Sequence, residues 1–259
     1  MKLSLSVRVA EAPGSKEETV MRIEQLIGIA AQTGYDAVCM RASQIGIQTP
    51  LEDVTRTRQL LTRKSLQVSM VTGDFPIPIN DHRGPDALRN ITPYLDLANM
   101  LEADLIRIAM KKEEDIIWAQ RSADEAAERQ IRVAHQSHTK SLFEMVEGSV
   151  NVIEAVARPN FGLIYEPSNL MMCGQTYGLE TLKRFAPYLF NVYLQNYTPD
   201  GTGYRQLRLQ DKGGINFDQI FEGLDRIGYH GYVTVHDSPL ANTEQAAIQS
   251  HNYLKQLIG

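Results

Sequence analysis

The sequence contains only two cysteines, Cys39 and Cys173, which lie far apart and show no Cys-x-x-Cys spacing. Neither a disulfide scaffold nor a zinc site built from thiolates is therefore indicated. Reduced cysteines are typical of a cytoplasmic protein, which is the location we expect. The chain also lacks any run of roughly 18 apolar residues, and Met1–Gly14 lacks the pattern of a secretion signal. We expect neither membrane insertion nor secretion.

Basic residues are not in excess, since 26 Lys and Arg stand against 31 Asp and Glu, for a formal net charge of −5. Nucleic acid binding needs concentrated positive surface to neutralise phosphates, so nucleic acid is not an expected partner. A small molecule is the partner we expect. The sequence leaves open whether copies of the chain associate into a homo-oligomer.

What the sequence does contain is an alternation of short apolar runs and helical segments. Eight runs predict strands: Leu3–Val7, Asp36–Met40, Gln67–Val71, Leu105–Ile108, Ile131–Ala134, Phe161–Tyr165, Asn191–Leu194 and Tyr232–Val235. Between most of them apolar residues recur at helical spacing, as from Val20 to Ala30. Alternating strands and helices predict a parallel sheet.

The number of these units predicts an α/β fold, a single-domain (β/α)8 TIM barrel over residues 1–259. Such a barrel needs about 250 residues, and this chain has 259. The alternative, an open doubly wound sheet, usually has fewer strands and often begins with a Gly-x-Gly-x-x-Gly turn. No such turn follows the first strand.

Local signals predict where several elements begin and end. Two pairs have the spacing of a capping box and predict helix starts: Ser15 with Glu18, and Ser141 with Glu144. Gly34 and Gly228 lie just before strands two and eight, where glycine can end a helix in the left-handed conformation. Asp74–Pro85 contains several Pro and Gly residues and predicts a long loop on the active face.

Polar residues follow four of the predicted strands, at the end of the barrel where reaction sites of this fold lie. They are His135-Gln136-Ser137-His138, Glu166-Pro167-Ser168-Asn169, Gln195-Asn196 and His236-Asp237. Because side chains alternate along a strand, the apolar rows face the outer helices, and Gln136, Glu166 and His236 should point into the mouth. A carboxylate, a carboxamide and imidazoles that converge can hold a divalent cation or transfer protons.

The strand-six stretch Pro159-Asn160-Phe161-Gly162-Leu163-Ile164-Tyr165-Glu166-Pro167-Ser168-Asn169 resembles that of xylose isomerase-like sugar phosphate isomerases and epimerases. Supporting matches are Gly213-Gly214-Ile215-Asn216-Phe217 and Gly228-Tyr229-His230-Gly231-Tyr232-Val233-Thr234-Val235. The resemblance covers nearly the whole chain. It implies the TIM barrel, but it is weak for the reaction, because the superfamily also includes dehydratases, other lyases and DNA-repair endonucleases.

The resemblance also implies a metal site. Epimerases of this family hold Mn2+, Mg2+ or a related ion with Glu, Asp, His and Glu on strands five to eight, and the two Glu residues move the proton. The matching positions here are Gln136, Glu166, Tyr193 and His236, so three of the four have changed type. Glutamine cannot act as a carboxylate base, and tyrosine is a poor ligand unless it is ionised. The usual two-carboxylate mechanism therefore cannot simply be carried over.

Our first hypothesis is an isomerase or epimerase that moves a proton next to the carbonyl of a small sugar-like compound. Glu166 and His236 are its predicted catalytic residues. The metal, if bound, would be Mn2+, Mg2+ or Zn2+ held by Gln136, Glu166 and His236. The alternatives are a catalytically altered barrel that only binds a sugar, and a metal-dependent dehydratase or lyase.

Other polar residues near the strand ends are predicted to bind the substrate: Arg8, His138, Asn169, Gln195, Asn196 and Arg205. Arg41, Lys111 and Arg208 could also neutralise a phosphate or carboxylate. Such charges are more often solvated surface residues. Arg8 differs from them because it directly follows strand one and so lies in the predicted mouth.

Overall fold

The computed structural model describes residues 1–73, 81–237 and 242–258. Within them, eight parallel strands close into a barrel, namely β1 (Lys2–Ser6), β2 (Ala37–Met40), β3 (Gln67–Thr72), β4 (Leu105–Ile108), β5 (Arg132–Gln136), β6 (Phe161–Tyr165), β7 (Leu189–Leu194) and β10 (Tyr232–Val235). Around the barrel their order is β1-β10-β7-β6-β5-β4-β3-β2. The predicted TIM barrel is confirmed, and each of the eight predicted strands corresponds to one of these.

Helices cover the outside of the barrel. They are α1 (Ile23–Thr33), α2 (Leu51–Arg63), α3 (Asp86–Arg89), α4 (Thr92–Leu101), α5 (Asp115–Ala127), α6 (Val146–Val156), α7 (Pro167–Met172), α8 (Leu179–Phe185), α9 (Phe217–Arg226) and α10 (Thr243–Ile258). Two short 3-10 helices, Val7–Ala10 and Ala186–Tyr188, complete the set among the described residues.

Alternation along the strands separates two groups of buried side chains. The larger group fills the layer between strands and helices, with Val133, Leu163 and Val192 among its members. The smaller group fills the barrel interior and consists of Cys39, Met70, Leu105, Ala134, Ile164 and Tyr193. Since Gln136, Glu166 and Gln195 lie two residues beyond interior members of their own strands, the same alternation directs them inward at the mouth.

Both predicted helix starts at serine are wrong. Helix α1 begins at Ile23 and helix α6 at Val146, several residues after Ser15 and Ser141. The Ser15 hydroxyl does accept the Glu18 amide, at 2.9 Å, but this bond closes a turn and not a helix. The glycine prediction is confirmed: Gly34 and Gly228 have φ of +98° and +68°, which only glycine adopts without strain.

A β-hairpin that the sequence analysis missed follows β7. Its strands, β8 (Asn196–Asp200) and β9 (Gly203–Leu207), pair antiparallel. Buried Asn196 fixes the segment after it, because Nδ2 donates to the carbonyls of Arg208 and Asp211, each at 2.9 Å, and Oδ1 accepts the Ile215 amide at 2.9 Å. Gly214 lies so close that a Cβ there would collide with Asn196 Oδ1.

The described helices include none that is both long and apolar enough to cross a membrane. Of the predicted active-face loop, residues 74–80 lie outside the described residues. Residues 81–85 form a turn that leads into α3.

Candidate active site

A cavity of about 130 Å3 opens at the carboxyl ends of the barrel strands. It is small beside the roughly 300–1,000 Å3 of a pocket for a drug-sized ligand, so it suits a small metabolite. The described residues that line it are Arg8, Lys16, Arg41, Arg107, Gln136, His138, Asn169, Met172, Gln195, Tyr197 and His236. Basic, amide and imidazole side chains thus dominate the lining.

Glu166 is fully buried at the end of β6, just beneath this cavity. Three amide groups surround its carboxylate: Gln136 Nε2 and Asn169 Nδ2 donate to Oε2, the latter at 2.8 Å, and Gln195 Nε2 donates to Oε1. Burial raises the pKa of Glu166 to about 7, although Arg8, Arg107 and the amide hydrogen bonds act in the opposite direction. The carboxyl can therefore gain or lose a proton near neutral pH.

His236, at the end of β10, is buried and makes two hydrogen bonds within the site. Its Nε2 lies 3.2 Å from Nη1 of Arg8, and its Nδ1 lies 3.1 Å from Oγ of Ser6. A guanidinium can only donate, so Nε2 must accept and Nδ1 must carry the hydrogen. Burial, followed by Arg8 and Arg41, lowers the pKa of His236 well below its usual value, and the ring is neutral at pH 7.

Tyr193 lies below His236 in the barrel interior, and the two rings stack with centroids 4.1 Å apart. The Tyr193 hydroxyl is 3.0 Å from Sγ of Cys39. Burial raises the pKa of this phenol well above its ordinary value, so the hydroxyl stays protonated. Tyr193 therefore supports the His236 ring from below.

Two arginines of the lining carried different predictions, since Arg8 was predicted to bind the substrate, whereas Arg41 was either an anion-binding residue or a surface charge. Arg8 is half-buried, and it is close enough to influence the pKa of both Glu166 and His236. Arg41 is buried and forms an ion pair with buried Glu11, at 2.8 Å from Nε to Oε1. Ser43 Oγ donates to the same carboxylate oxygen at 2.8 Å. The Arg41 charge is thus balanced within the protein.

His138, which is predicted to bind the substrate, lines the cavity beyond the end of β5. Its Nδ1 lies 2.8 Å from the carbonyl of Thr139, so Nδ1 carries the hydrogen when the ring is neutral. Burial is the main cause that lowers the pKa of His138 to about 4, and Arg107 and Lys111 lower it further. At neutral pH this imidazole is uncharged.

Two residues predicted to bind substrate have other places in the structure. Asn196 is fully buried, and its side chain holds the chain segment after the hairpin, as described above. Arg205 lies on β9 with 61% of its side chain exposed, 3.5 Å from Asp200, and it does not line the cavity. The alternation that places Gln195 inward turns Asn196 away from the mouth.

Sequence reasoning missed two polar residues of this region and gave no role to a third. Arg107 lies within β4, and the signal for it was a charge in the apolar run Leu-Ile-Arg-Ile. Tyr197 reaches the cavity from the hairpin. Asp237, which the sequence places at the end of strand eight without a role, is buried, and burial raises its pKa to about 8 against the effect of Arg8. A second carboxyl that titrates near neutrality thus flanks Arg8.

Residues 27–257 match the model of the xylose isomerase-like TIM barrel family. The chain belongs to that family. No curated protein matches it by sequence. This membership fixes the architecture but leaves the reaction open, because the family contains more than one chemistry.

Solved structures agree on the fold. The probable 3-DHS dehydratase AsbF of Bacillus anthracis is similar at a TM-score of 0.79 and 14% identity, with 98% of this chain and 99% of that chain covered. A D-allulose 3-epimerase of Methylomonas sp. has a TM-score of 0.71 and 17% identity, with 99% and 98% covered. A xylose isomerase-like protein of Mycobacterium smegmatis, solved with magnesium, has a TM-score of 0.74 and 16% identity, with 99% and 96% covered. At these identities the likeness shows the fold alone.

The four positions that correspond to the family's metal ligands do not fit a divalent ion. Both oxygens of Glu166 accept amide hydrogens, and Nε2 of His236 accepts from Arg8. Tyr193 keeps its proton, and Gln136 offers only a carboxamide oxygen. No group of three His, Cys, Asp or Glu suited to a metal occurs among the described residues. The nearby guanidinium groups would also repel a dication.

Proposed function

We propose that this barrel is an isomerase or epimerase that transfers a proton next to the carbonyl of a small polyhydroxylated compound. The observation that carries the proposal is the Glu166 carboxyl, with its pKa of about 7, beneath a polar cavity at the barrel mouth. A general acid and base works best when its pKa is near the working pH. Glu166 meets that requirement without a metal ion.

In the proposed reaction the ionised Glu166 removes a proton from the carbon beside the carbonyl, which leaves an enediolate. The negative charge on the enediolate oxygen is stabilised by Arg8, whose guanidinium is close to Glu166 and His236. Protonated Glu166 then returns the proton. Return to the former carbonyl carbon gives an isomer, and in that case the hydroxyl proton of the neighbouring carbon passes to the former carbonyl oxygen, so that the carbonyl changes place. An epimer forms instead when the original carbon is protonated from the other face by a second acid, such as the protonated Asp237, and Glu166 releases its proton to solvent.

Glu166 can reach a ligand only if one of the amides above it moves. Gln136 is the best placed of the three to do so, because its Oε1 is buried without a hydrogen-bond partner and its Nε2 donates to Glu166 alone among the described residues. Rotation of this amide would expose Oε2 of Glu166 to a ligand hydroxyl or C–H group. Asn169, by contrast, is also held through the carbonyl of Ser137.

His236 receives a different role from the proton transfer that the sequence predicts. Its neutral ring accepts from Arg8 and donates to Ser6 Oγ, so it holds the guanidinium in position. Its lowered pKa makes it a weak base at neutral pH. We assign it as a positioning residue for Arg8.

The test is solvent hydrogen exchange. Wild type and Glu166→Gln are incubated in D2O with aldoses, ketoses, their phosphates and sugar acids, and loss of the C–H signal beside the carbonyl is followed by NMR. We expect wild type to exchange at least one compound and Glu166→Gln to be slower by a factor of about 10² or more. The rate should also rise with pH through about 7, as Glu166 ionises.

The second candidate is a barrel that binds a sugar-like ligand without converting it. The observation that favours it is the amide layer, since Gln136, Asn169 and Gln195 line the cavity while Glu166 lies behind them. Binding without any hydrogen exchange would select this candidate and overturn the enzyme. Exchange that is equally fast in Glu166→Gln would remove the role of Glu166. Loss of water in the product would select a dehydratase instead.

A further inference from the structure

We propose that the mouth of this barrel binds a small organic anion, a carboxylate or a phosphate, through Arg8 and Arg107 and does not hold a divalent cation. The inference rests on the proposed function for the site, and it deepens that function by giving the chemical class of the ligand. It also explains why three of the four positions that correspond to family metal ligands have changed type here.

The first support is the charge of the lining. Four of the eleven described lining residues are basic, namely Arg8, Lys16, Arg41 and Arg107, and none of the described ones is acidic. Glu11 neutralises Arg41. The charge of Arg107 acts within the mouth, because it contributes to the lowered pKa of both His138 and His236, which line the cavity.

The second support is the location of the two arginines. Arg107 is only 8% exposed, although it lines the cavity, so its charge acts in a region with little competing water. Arg8 is half-buried and is held by His236 Nε2 at 3.2 Å. Guanidinium groups match carboxylate and phosphate oxygens in a two-point geometry, which a surface lysine does not offer.

The third support is the use of the donor atoms. A divalent ion binds to lone pairs on its ligands. Here the lone pair of His236 Nε2 accepts a hydrogen bond from Arg8, and both carboxylate oxygens of Glu166 accept hydrogen bonds from side-chain amides. A guanidinium therefore sits against the imidazole that the family resemblance makes a metal ligand. The Arg8 guanidinium carries a single positive charge at this position, and its N–H groups can donate hydrogen bonds to anionic oxygen atoms of a ligand.

The test uses three probes that share a three-carbon polyol skeleton and differ in charge: glycerol, D-glycerate and glycerol 3-phosphate. Binding to wild-type protein is measured by isothermal titration calorimetry at pH 7 and low salt. We expect glycerate or glycerol 3-phosphate to bind at least tenfold more tightly than glycerol, because a charge-assisted hydrogen bond contributes about that much or more. Which of the two binds better distinguishes carboxylate from phosphate.

Variants then locate the binding site. Arg8→Gln and Arg107→Gln should each weaken anion binding about tenfold or more, whereas Arg8→Lys, which keeps the charge but loses the fork, should have an intermediate effect. The matched control is Arg184→Gln, because Arg184 lies on the exterior in a surface ion pair with Glu147. It should bind the anion as wild type does. Thermal unfolding of each variant identifies any loss that comes from misfolding, and Arg8→Lys then remains as the milder test.

Three results of these titrations would overturn the inference. The first is equal affinity for glycerol and both anions. The second is an anion affinity that Arg8→Gln and Arg107→Gln leave unchanged in folded protein. The third is tight stoichiometric binding of Mn2+ or Zn2+ to wild type in the same calorimeter. None of them depends on turnover. A barrel that binds anions without exchanging hydrogen would refute the proposed function alone, and one that exchanges hydrogen only in neutral sugars would refute this inference alone.

Discussion

The buried ion pair between Glu11 and Arg41 gives the sharpest prediction for stability. The two side chains are only 5% and 3% exposed, and Nε lies 2.8 Å from Oε1. In Glu11→Gln the hydrogen bonds from Arg41 and Ser43 can persist, but the buried guanidinium loses its countercharge. Removal of one partner of a buried pair costs about 3–5 kcal/mol. Because the introduced amide can keep some of these hydrogen bonds, we expect the free energy of unfolding to fall by about 3 kcal/mol, at the lower end of this range.

The assay is urea unfolding at pH 7, monitored by circular dichroism. Wild type and Glu11→Gln are fitted with the same dependence of the free energy of unfolding on urea concentration. Glu147→Gln is the matched control, since it breaks a pair of similar length, 2.9 Å, between side chains that are 68% and 44% exposed. Solvent screens that pair, and its loss should leave the free energy of unfolding nearly unchanged. If Glu11→Gln lowered the free energy of unfolding as little as Glu147→Gln, the buried Arg41 charge would not depend on Glu11 as its countercharge, and the prediction would be wrong.

Three further predictions concern the site and its hairpin. The raised pKa of Glu166 means that the folded state binds this proton more tightly, so the free energy of unfolding should fall by about 3 kcal/mol between pH 4.5 and 7. Urea titrations at several pH values should show that Glu166→Gln lacks this fall in the free energy of unfolding. A pH dependence in Glu166→Gln that equals that of wild type would contradict the prediction. Asn196→Ala should cost about 2–4 kcal/mol and raise hydrogen exchange of the Ile215 amide, whose bond it removes; unaltered exchange would count against the assignment. Gln136→Glu should raise the pKa of Glu166 further, because two adjacent carboxyl groups resist ionising together. A carbon-13 titration of Glu166 identical to that in wild type would speak against contact between the two side chains.

The barrel could be predicted from the sequence because its strands are buried on both faces and stand out as apolar runs. Leu105–Ile108 and Phe161–Tyr165 have the same bounds in the prediction and in the structure. The hairpin was missed although its two-residue turn, Gly201-Thr202, begins with glycine, which is a hairpin signal. Its strands are half exposed and carry Pro199, so they lack the apolar pattern by which the barrel strands were found.

The helix starts failed for a physical reason. A serine hydroxyl satisfies a nearby amide in an isolated turn as well as in a helix, as Ser15 does with Glu18. The spacing alone therefore does not separate the two. The segment before α1 does not form a helix here, and its Thr19 forms an isolated antiparallel β-bridge with Glu11 instead.

For the site, alternation along the strands was enough to bring Gln136, Glu166 and His236 to one cavity floor. It could not give their chemistry, because that depends on contacts across the barrel. The bond from Arg8 to His236 joins residues 228 positions apart, and it is the contact from which we propose a positioning role for His236 in place of the predicted proton transfer. The three amides around Glu166 likewise come from three places in the chain: the end of β5, helix α7 and the residue that follows β7.

The central claim is that Glu166 is an acid and base poised near neutral pH. It is tested most directly by labelling glutamate δ-carbons with carbon-13 and following their NMR signals from pH 3 to 9. We predict one carboxyl with a midpoint near 7 that is absent in Glu166→Gln, while the exposed glutamates titrate at their ordinary pKa of about 4.3. A Glu166 signal that titrates with the exposed glutamates would contradict the account.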